Sequence, residues 1–279
     1  MMRTSGPLVD ASWLAEHLAA PWLCLVDFRW YLDGRSGRAA YASGHLPGAV
    51  FVDLEEVTGT GPGAGRHPLP EPEAFTRAMR AAGVGRDSTL VVYDDQGGAV
   101  AARLWWMLRY FGHDAVAVLD GGLQAWRGGL VTEPTIPTPG DFTAGEPRRW
   151  MRLDYEAVRA LSRGTVLLDA RAPERYRGEF EPIDPRAGHI PGARSAHYRD
   201  NLSDDLRFKP PPELRERFLR LGVGPATEVV VYCGSGVSAC HDLLALELAG
   251  LPGARLYPGS WSDWSARPGA PVATGPEPG

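Results

Sequence analysis

The second half of this chain repeats the first. Leu25-Val26-Asp27 returns as Leu167-Leu168-Asp169, and Gly44-His45-Leu46-Pro47-Gly48-Ala49 returns as Gly188-His189-Ile190-Pro191-Gly192-Ala193. Ala82-Gly83-Val84-Gly85 is answered by Leu221-Gly222-Val223-Gly224, Tyr93-Asp94 by Tyr232-Cys233, and Gly121-Gly122 by Pro258-Gly259. These pairs lie 137 (122 to 259) to 144 (44 to 188) residues apart, always in the same order. Preserved order and spacing mark a tandem duplication.

Within each copy, apolar strands alternate with helices. Leu23–Asp27, Thr89–Asp94 and Ala115–Leu119 read as strands in the first copy; Val166–Asp169, Val229–Tyr232 and 254–257 read as strands in the second. Helices are expected from Asp10 (with Asp10 or Ser12 as cap) to Leu18, from Glu71 to Ala82, from Ala99 to Tyr110 and over 243–248. This alternation predicts an α/β fold, with a parallel sheet flanked by helices once per domain. The expected boundaries are 1–131 for the first domain, a Pro-rich linker over 132–151, and 152–279 for the second.

Composition narrows the function class. A net charge of -5 without a long basic run argues against nucleic acid as a partner. No apolar run reaches membrane-spanning length, and the first residues lack the apolar core of a signal peptide. Three cysteines, few and odd in number, argue against a disulfide framework, so a reducing cytoplasm is the expected setting.

The two copies are unequal where it matters for chemistry. Val229-Val230-Val231-Tyr232 ends on Cys233, and Gly234-Ser235-Gly236-Val237-Ser238 leads into a helix. A cysteine between a strand end and a helix N-terminus faces backbone N–H groups that stabilise negative charge on sulfur. The first copy carries Asp94 there, and a carboxylate cannot act as a sulfur nucleophile. The first domain is therefore expected to be catalytically silent at its own loop and to wall the site of the other.

Three other readings of this loop fail. Gly234 to Ala239 fits G-x-G-x-x-A, but the next strand ends on Pro258 rather than on the acidic residue that a dinucleotide site needs. A cysteine phosphatase needs Arg six residues after the cysteine, where Ala239 stands. Cys233, Cys240 and His241 lack the paired spacing of a zinc site, so no metal is expected. Cys24 and Cys240 read as core residues, and Trp105, Trp106, Trp126, Trp261 and Trp264 as packing on helical stretches.

The two Gly-His-[Leu/Ile]-Pro-Gly-Ala motifs, Asp169-Ala170-Arg171, Glu174-Arg175-Tyr176 and Cys233 to Ala239 together resemble the rhodanese family in its two-domain sulfurtransferase form. The resemblance covers about Asp10 to Trp264. It implies a Cys233 persulfide as a covalent intermediate, with no cofactor. A small-molecule donor supplies the sulfur, and a thiol, thioredoxin or cyanide accepts it. Gly-Ser-Gly after the cysteine is similar to members that prefer 3-mercaptopyruvate; members that prefer thiosulfate carry basic residues there. Physical chemistry agrees, because thiosulfate is a compact dianion that fixed positive charge holds best, and this loop offers only amides and one hydroxyl.

The resemblance also implies roles. Arg175 would hold the donor carboxylate with its planar fork, and amides of Gly234, Gly236, Val237 and Ser238 would cradle the sulfur. A second arginine is expected just before Gly-His-Ile; Ile183 falls there, with Arg186 nearby as its stand-in. Ser235 would join a histidine and an aspartate of the first domain, where His45 matches the histidine and Asp33 is close but off register. His45 and His189 have a plainer alternative, bracing their Pro-Gly turns. The competing functions are a thiosulfate sulfurtransferase and a non-enzymatic protein-binding module.

Overall fold

The computed structural model describes residues 4, 6–60 and 65–279. The chain forms two compact units. One takes the residues up to Gly59, Pro70–Arg148 and Asp204–Phe208; the other takes Thr60–Leu69, Arg149–Ser203 and Lys209–Gly279.

Unit 1 holds strands β1 (Leu8–Val9), β2 (Leu23–Asp27), β3 (Val50–Phe51), β4 (Thr89–Tyr93) and β5 (Val116–Leu119). They pair in parallel in the order β1-β5-β4-β2-β3. Helices α1 (Ala11–His17), α2 (Gly37–Ser43), α3 (Pro72–Ala81), α4 (Ala101–Tyr110) and α5 (Gly122–Ala125) connect them. Asp10 is the cap of α1, accepting the Trp13 N–H at 2.7 Å. Every residue of β4 is buried, which is why its sequence is continuously apolar rather than alternating.

Unit 2 repeats the plan with α6 (Tyr155–Arg159), β6 (Val166–Asp169), α7 (Pro173–Arg177), β7 (Ala193–Ser195), α8 (Pro211–Arg220), β8 (Val229–Tyr232), α9 (Ala239–Leu248), β9 (Arg255–Leu256) and α10 (Ser260–Ala266). Its parallel order is β7-β6-β8-β9, the order of unit 1 without the β1 equivalent. A single parallel bridge, Arg152 to Leu256, occupies that edge. The core of unit 2 gathers Leu167, Val230, Tyr232, Tyr257, Trp261 and Trp264. Among the described residues no helix is long and apolar enough to cross a membrane.

The stretch expected as a linker has no helix or strand before Arg149, yet it is laid down on unit 1. Gly140 donates to the Arg80 carbonyl at 2.9 Å, Phe142 to Val84 at 3.1 Å and Arg148 to Tyr110 at 2.9 Å, with the Phe142 ring buried.

The motifs that repeat turn out to build the fold. After β2, Asp27 and Arg29 form a buried ion pair of 2.7 Å, and Arg29 also donates to the Gly44 carbonyl at 2.9 Å. After β6, Asp169 and Arg171 pair at 2.6 Å, and Arg171 donates to the Gly188 carbonyl at 2.7 Å. Each strand end thus pins its own Gly-His turn. His45 stacks on Tyr41 with ring centroids 3.7 Å apart and donates from Nδ1 to the Tyr41 carbonyl at 2.9 Å. His189 does the same on Tyr176, at 3.8 and 2.8 Å.

Candidate active site

The loop after β8 is held from below by the start of α10. Cys233 and Gly234 present their carbonyls to the N–H groups of Trp261 and Ser262, both at 2.9 Å. The Cys233 N–H donates to Ser260 Oγ at 3.2 Å, and that hydroxyl donates to the Tyr257 carbonyl at 2.9 Å. Ser260 holds a left-handed backbone (φ 54) to do so, one of two non-glycine residues with positive φ among the described residues. Cys233 is 2% exposed as a residue, and its sulfur accepts the Gly236 N–H at 3.1 Å. Gly236 turns the chain with φ +78, and a Cβ there would lie 2.6 Å from the Pro258 carbonyl oxygen. Val237 and Ser238 close the loop into α9 by accepting the N–H groups of Cys240 and His241.

The other two cysteines are placed differently. Burial pushes the Cys24 thiol up to about 12, far from nucleophilic use at neutral pH. Cys240 is fully buried and donates to the Gly236 carbonyl at 3.4 Å.

Ser235 is hydrogen-bonded to His67, Oγ to Nδ1 at 2.8 Å, with both residues buried. The histidine at Ser235 is therefore His67 and not His45. His45 makes its ring contacts inside unit 1, with a tyrosine stack and an Nδ1-to-carbonyl bond like those of His189 in unit 2, so the brace is its role in the structure. Asp33 is a surface residue paired with Arg35.

Arg175 lies on α7 beside the loop, half of its fork engaged by two carboxylates. Nε and Nη2 donate to Glu181 at 3.1 and 2.7 Å, and Nη2 reaches Asp184 at 3.1 Å. The other oxygen of Asp184 is paired with Nη1 of Arg66. A Cβ on Gly234 would lie 2.8 Å from Arg66 Nη2 and 3.4 Å from Arg175 Nη1, so both guanidinium groups stand over the residue next to Cys233. Burial opposes ionisation of Glu181, yet Arg175 and the N–H groups of Asp184 and Ile183 hold its carboxyl below the ordinary range. Burial pushes the Asp184 carboxyl up, against the pull of Arg66, with Glu181 adding repulsion.

Arg186 does not take the place expected of it. Its guanidinium is consumed by four carbonyls, those of Ser265, Ala270, Trp264 and Arg267, at 2.7 to 3.1 Å. It ties down the C-terminal end of α10, and Ile183 is partly exposed. Sequence reasoning passed over Arg66 and His67. The signal available was a basic residue and a histidine side by side in a Gly- and Pro-rich loop, a setting that carries function more often than packing. Among the described residues no cluster of three His, Cys, Asp or Glu side chains is placed to hold a metal ion.

Unit 1 shows what the same loop looks like when filled. Asp94, fully buried, accepts four backbone N–H groups: Gln96 and Gly98 on Oδ1 at 2.8 Å, and Val100 and Ala101 on Oδ2 at 2.7 and 2.9 Å. Burial pushes its carboxyl up and the four donors work against that. The loop is an anion cradle occupied by its own side chain.

Comparison with known proteins identifies the family. The rhodanese-like domain family matches residues 10–128 and again 154–267. A probable 3-mercaptopyruvate sulfurtransferase of Pseudomonas aeruginosa is 47% identical, covering 98% of this chain and 99% of its own. A putative thiosulfate sulfurtransferase of Mycobacterium tuberculosis is 43% identical over 96% of this chain and 97% of its own. The crystal structure of SseA from Escherichia coli, described with the rhodanese fold of 3-mercaptopyruvate sulfotransferases, superposes with a TM-score of 0.83. It shares 36% identity, covering 92% of this chain and 100% of its own. With two matched domains and relatives aligned along nearly their whole length, the chain belongs to the rhodanese family.

Proposed function

We propose that this chain is a sulfurtransferase that moves a sulfane sulfur from 3-mercaptopyruvate to a thiophilic acceptor through a Cys233 persulfide. The observation that carries this reading is the Cys233 sulfur seated on the Gly236 N–H at 3.1 Å, with Arg66 and Arg175 over the adjoining Gly234. The Cys233 thiolate attacks the donor sulfur, forming an S–S bond as the C–S bond breaks. The leaving enolate takes up the proton of the donor thiol and departs as pyruvate. The Ser235–His67 pair provides a path for that proton. Loop amides stabilise the anionic persulfide until cyanide, a small thiol or the thiol of thioredoxin attacks its outer sulfur and returns the Cys233 thiolate.

Charge favours a carboxylate donor over thiosulfate. Arg66, Arg171 and Arg175 stand against Asp169, Glu181 and Asp184 in one ion-paired network, so their formal charges cancel. Such a network presents directed N–H forks rather than the net positive field that a compact dianion requires. The names of the Pseudomonas and Escherichia relatives support this choice.

Side-by-side initial rates test it. With cyanide as acceptor, kcat/KM for 3-mercaptopyruvate should exceed that for thiosulfate by at least about tenfold. A preference for thiosulfate would reassign the donor while leaving the persulfide intact.

The two histidines separate by kinetics. His67→Ala should lower kcat with 3-mercaptopyruvate by about a hundredfold, the range expected for loss of a proton-transfer partner. His45→Gln should instead lower the melting temperature and leave the kcat of the folded enzyme within about twofold, since its stack and its carbonyl bond are a brace. Equal kcat losses in both variants would refute the assignment of His67.

A further inference from the structure

We infer that Arg66 is the second arm of the donor-binding clamp and the residue that sets donor specificity; this rests on the sulfurtransferase reading above. Three observations converge on it. Its Nη1 is paired with Asp184, a buried carboxylate that also holds Arg175 at 3.1 Å, so one anion fixes the spacing of two guanidinium groups. Its Nη2 lies over Gly234, where a Cβ would meet it at 2.8 Å. Its Nε is buried without a hydrogen-bond partner, an unsatisfied donor that a ligand acceptor would complete.

The backbone of Arg66 is registered to the nucleophile through a short chain of bonds. Its N–H donates to Ser262 Oγ at 3.1 Å, and the Ser262 N–H in turn holds the Gly234 carbonyl at 2.9 Å. Arg66 is thus carried by the same element that seats Cys233 and Gly234. The side chain is 27% exposed and that of Arg175 is 12% exposed, so both are reachable by a small molecule while remaining ordered by their carboxylates.

The chemistry this geometry selects is an α-keto acid. The Nε–Nη2 edge of Arg66 and the Nη1 group of Arg175, meeting over one glycine, suit a planar group with adjacent oxygens, which accepts N–H bonds from both sides. The carboxylate and the neighbouring keto oxygen of 3-mercaptopyruvate present that plane, with the thiol one carbon further on toward Cys233. The arginine thus comes from a loop more than a hundred residues before the Gly-His-Ile turn, and Asp184 near that turn serves as its counter-ion.

The test is kinetic and uses the full-length enzyme. Arg66→Ala should raise KM for 3-mercaptopyruvate, and Ki for pyruvate as a competitive inhibitor, in parallel by at least about tenfold, with the KM for cyanide unchanged. Arg66→Lys keeps the charge and the stem but not the fork. It should raise KM for 3-mercaptopyruvate several-fold more than KM for thiosulfate, and it serves as the folded control should the alanine variant fail. Unmoved KM and Ki in a folded Arg66 variant would overturn the clamp even though wild-type Cys233 still gains the mass of one sulfur. If wild-type Cys233 gains no sulfur from either donor, the sulfurtransferase reading itself fails.

Discussion

Cys233→Ser protein is expected to transfer no sulfur above background from any donor, a loss of at least about a thousandfold in kcat. The substitution leaves the loop almost as it was, because a serine hydroxyl can accept the Gly236 N–H that the sulfur accepts now. What disappears is a soft, readily ionised nucleophile able to form an S–S bond. Neither remaining thiol can substitute. Burial holds the Cys24 thiol near 12, and Cys240 is enclosed at the start of α9. Intact mass after exposure to 3-mercaptopyruvate should show one added sulfur in the wild type and in Cys24→Ser and Cys240→Ser proteins, and none in Cys233→Ser. Sulfur loaded on the serine variant would place the nucleophile elsewhere.

The second large effect is on stability rather than on chemistry. Asp94→Asn exchanges a carboxylate that accepts four N–H groups for an amide that must point its own NH2 at two of them. Two buried donors then lose their acceptor, at about 1–3 kcal/mol each. We expect Asp94→Asn to lower the free energy of unfolding by roughly 2–6 kcal/mol in urea titrations. Persulfide formation at Cys233 in the folded fraction should persist, since the first-domain loop carries no nucleophile. A variant as stable as the wild type would mean that solvent or a rearranged loop satisfies those donors.

The strands were readable because most or all of their residues are buried. Leu23–Asp27, Val166–Asp169 and Val229–Tyr232 are continuous apolar runs, and their bounds in the structure coincide with the pattern. β1 and β3, at two residues each, and β7, at three, are too short to carry any period. Cys233, Ser235, the loop glycines and Arg175 stand together in the structure because they lie on or next to regular elements. Arg66 and His67 lie in an irregular loop, and His67 meets Ser235 across 168 positions of sequence. No local pattern encodes such a contact. Arg186 is the converse case, close in sequence to the expected position but drawn away by the carbonyls at the end of α10.

His45 holds a simpler lesson. Its motif recurs in both domains, while the cysteine occurs at the equivalent position in only one. A residue shared by the copy that carries the cysteine and the copy that lacks it is more economically explained by the fold that both share. The stacked Tyr41 and Tyr176 supply that explanation.

The Asp184 bridge also bears on how a protein of this kind changes its substrate. Because Arg66 and Arg175 lean on one shared carboxylate, a substitution at either leaves the other with an altered counter-ion and an altered geometry. Their effects are therefore coupled rather than additive. If the proposed clamp holds, a descendant that lost one arginine alone would carry a partly uncompensated Asp184 near Cys233, a worse enzyme for every anionic donor. Donor preference should thus evolve by paired replacements, with position 66 covarying with position 184 across lineages. Positions 183 and 186 should drift according to surface exposure and helix anchoring instead.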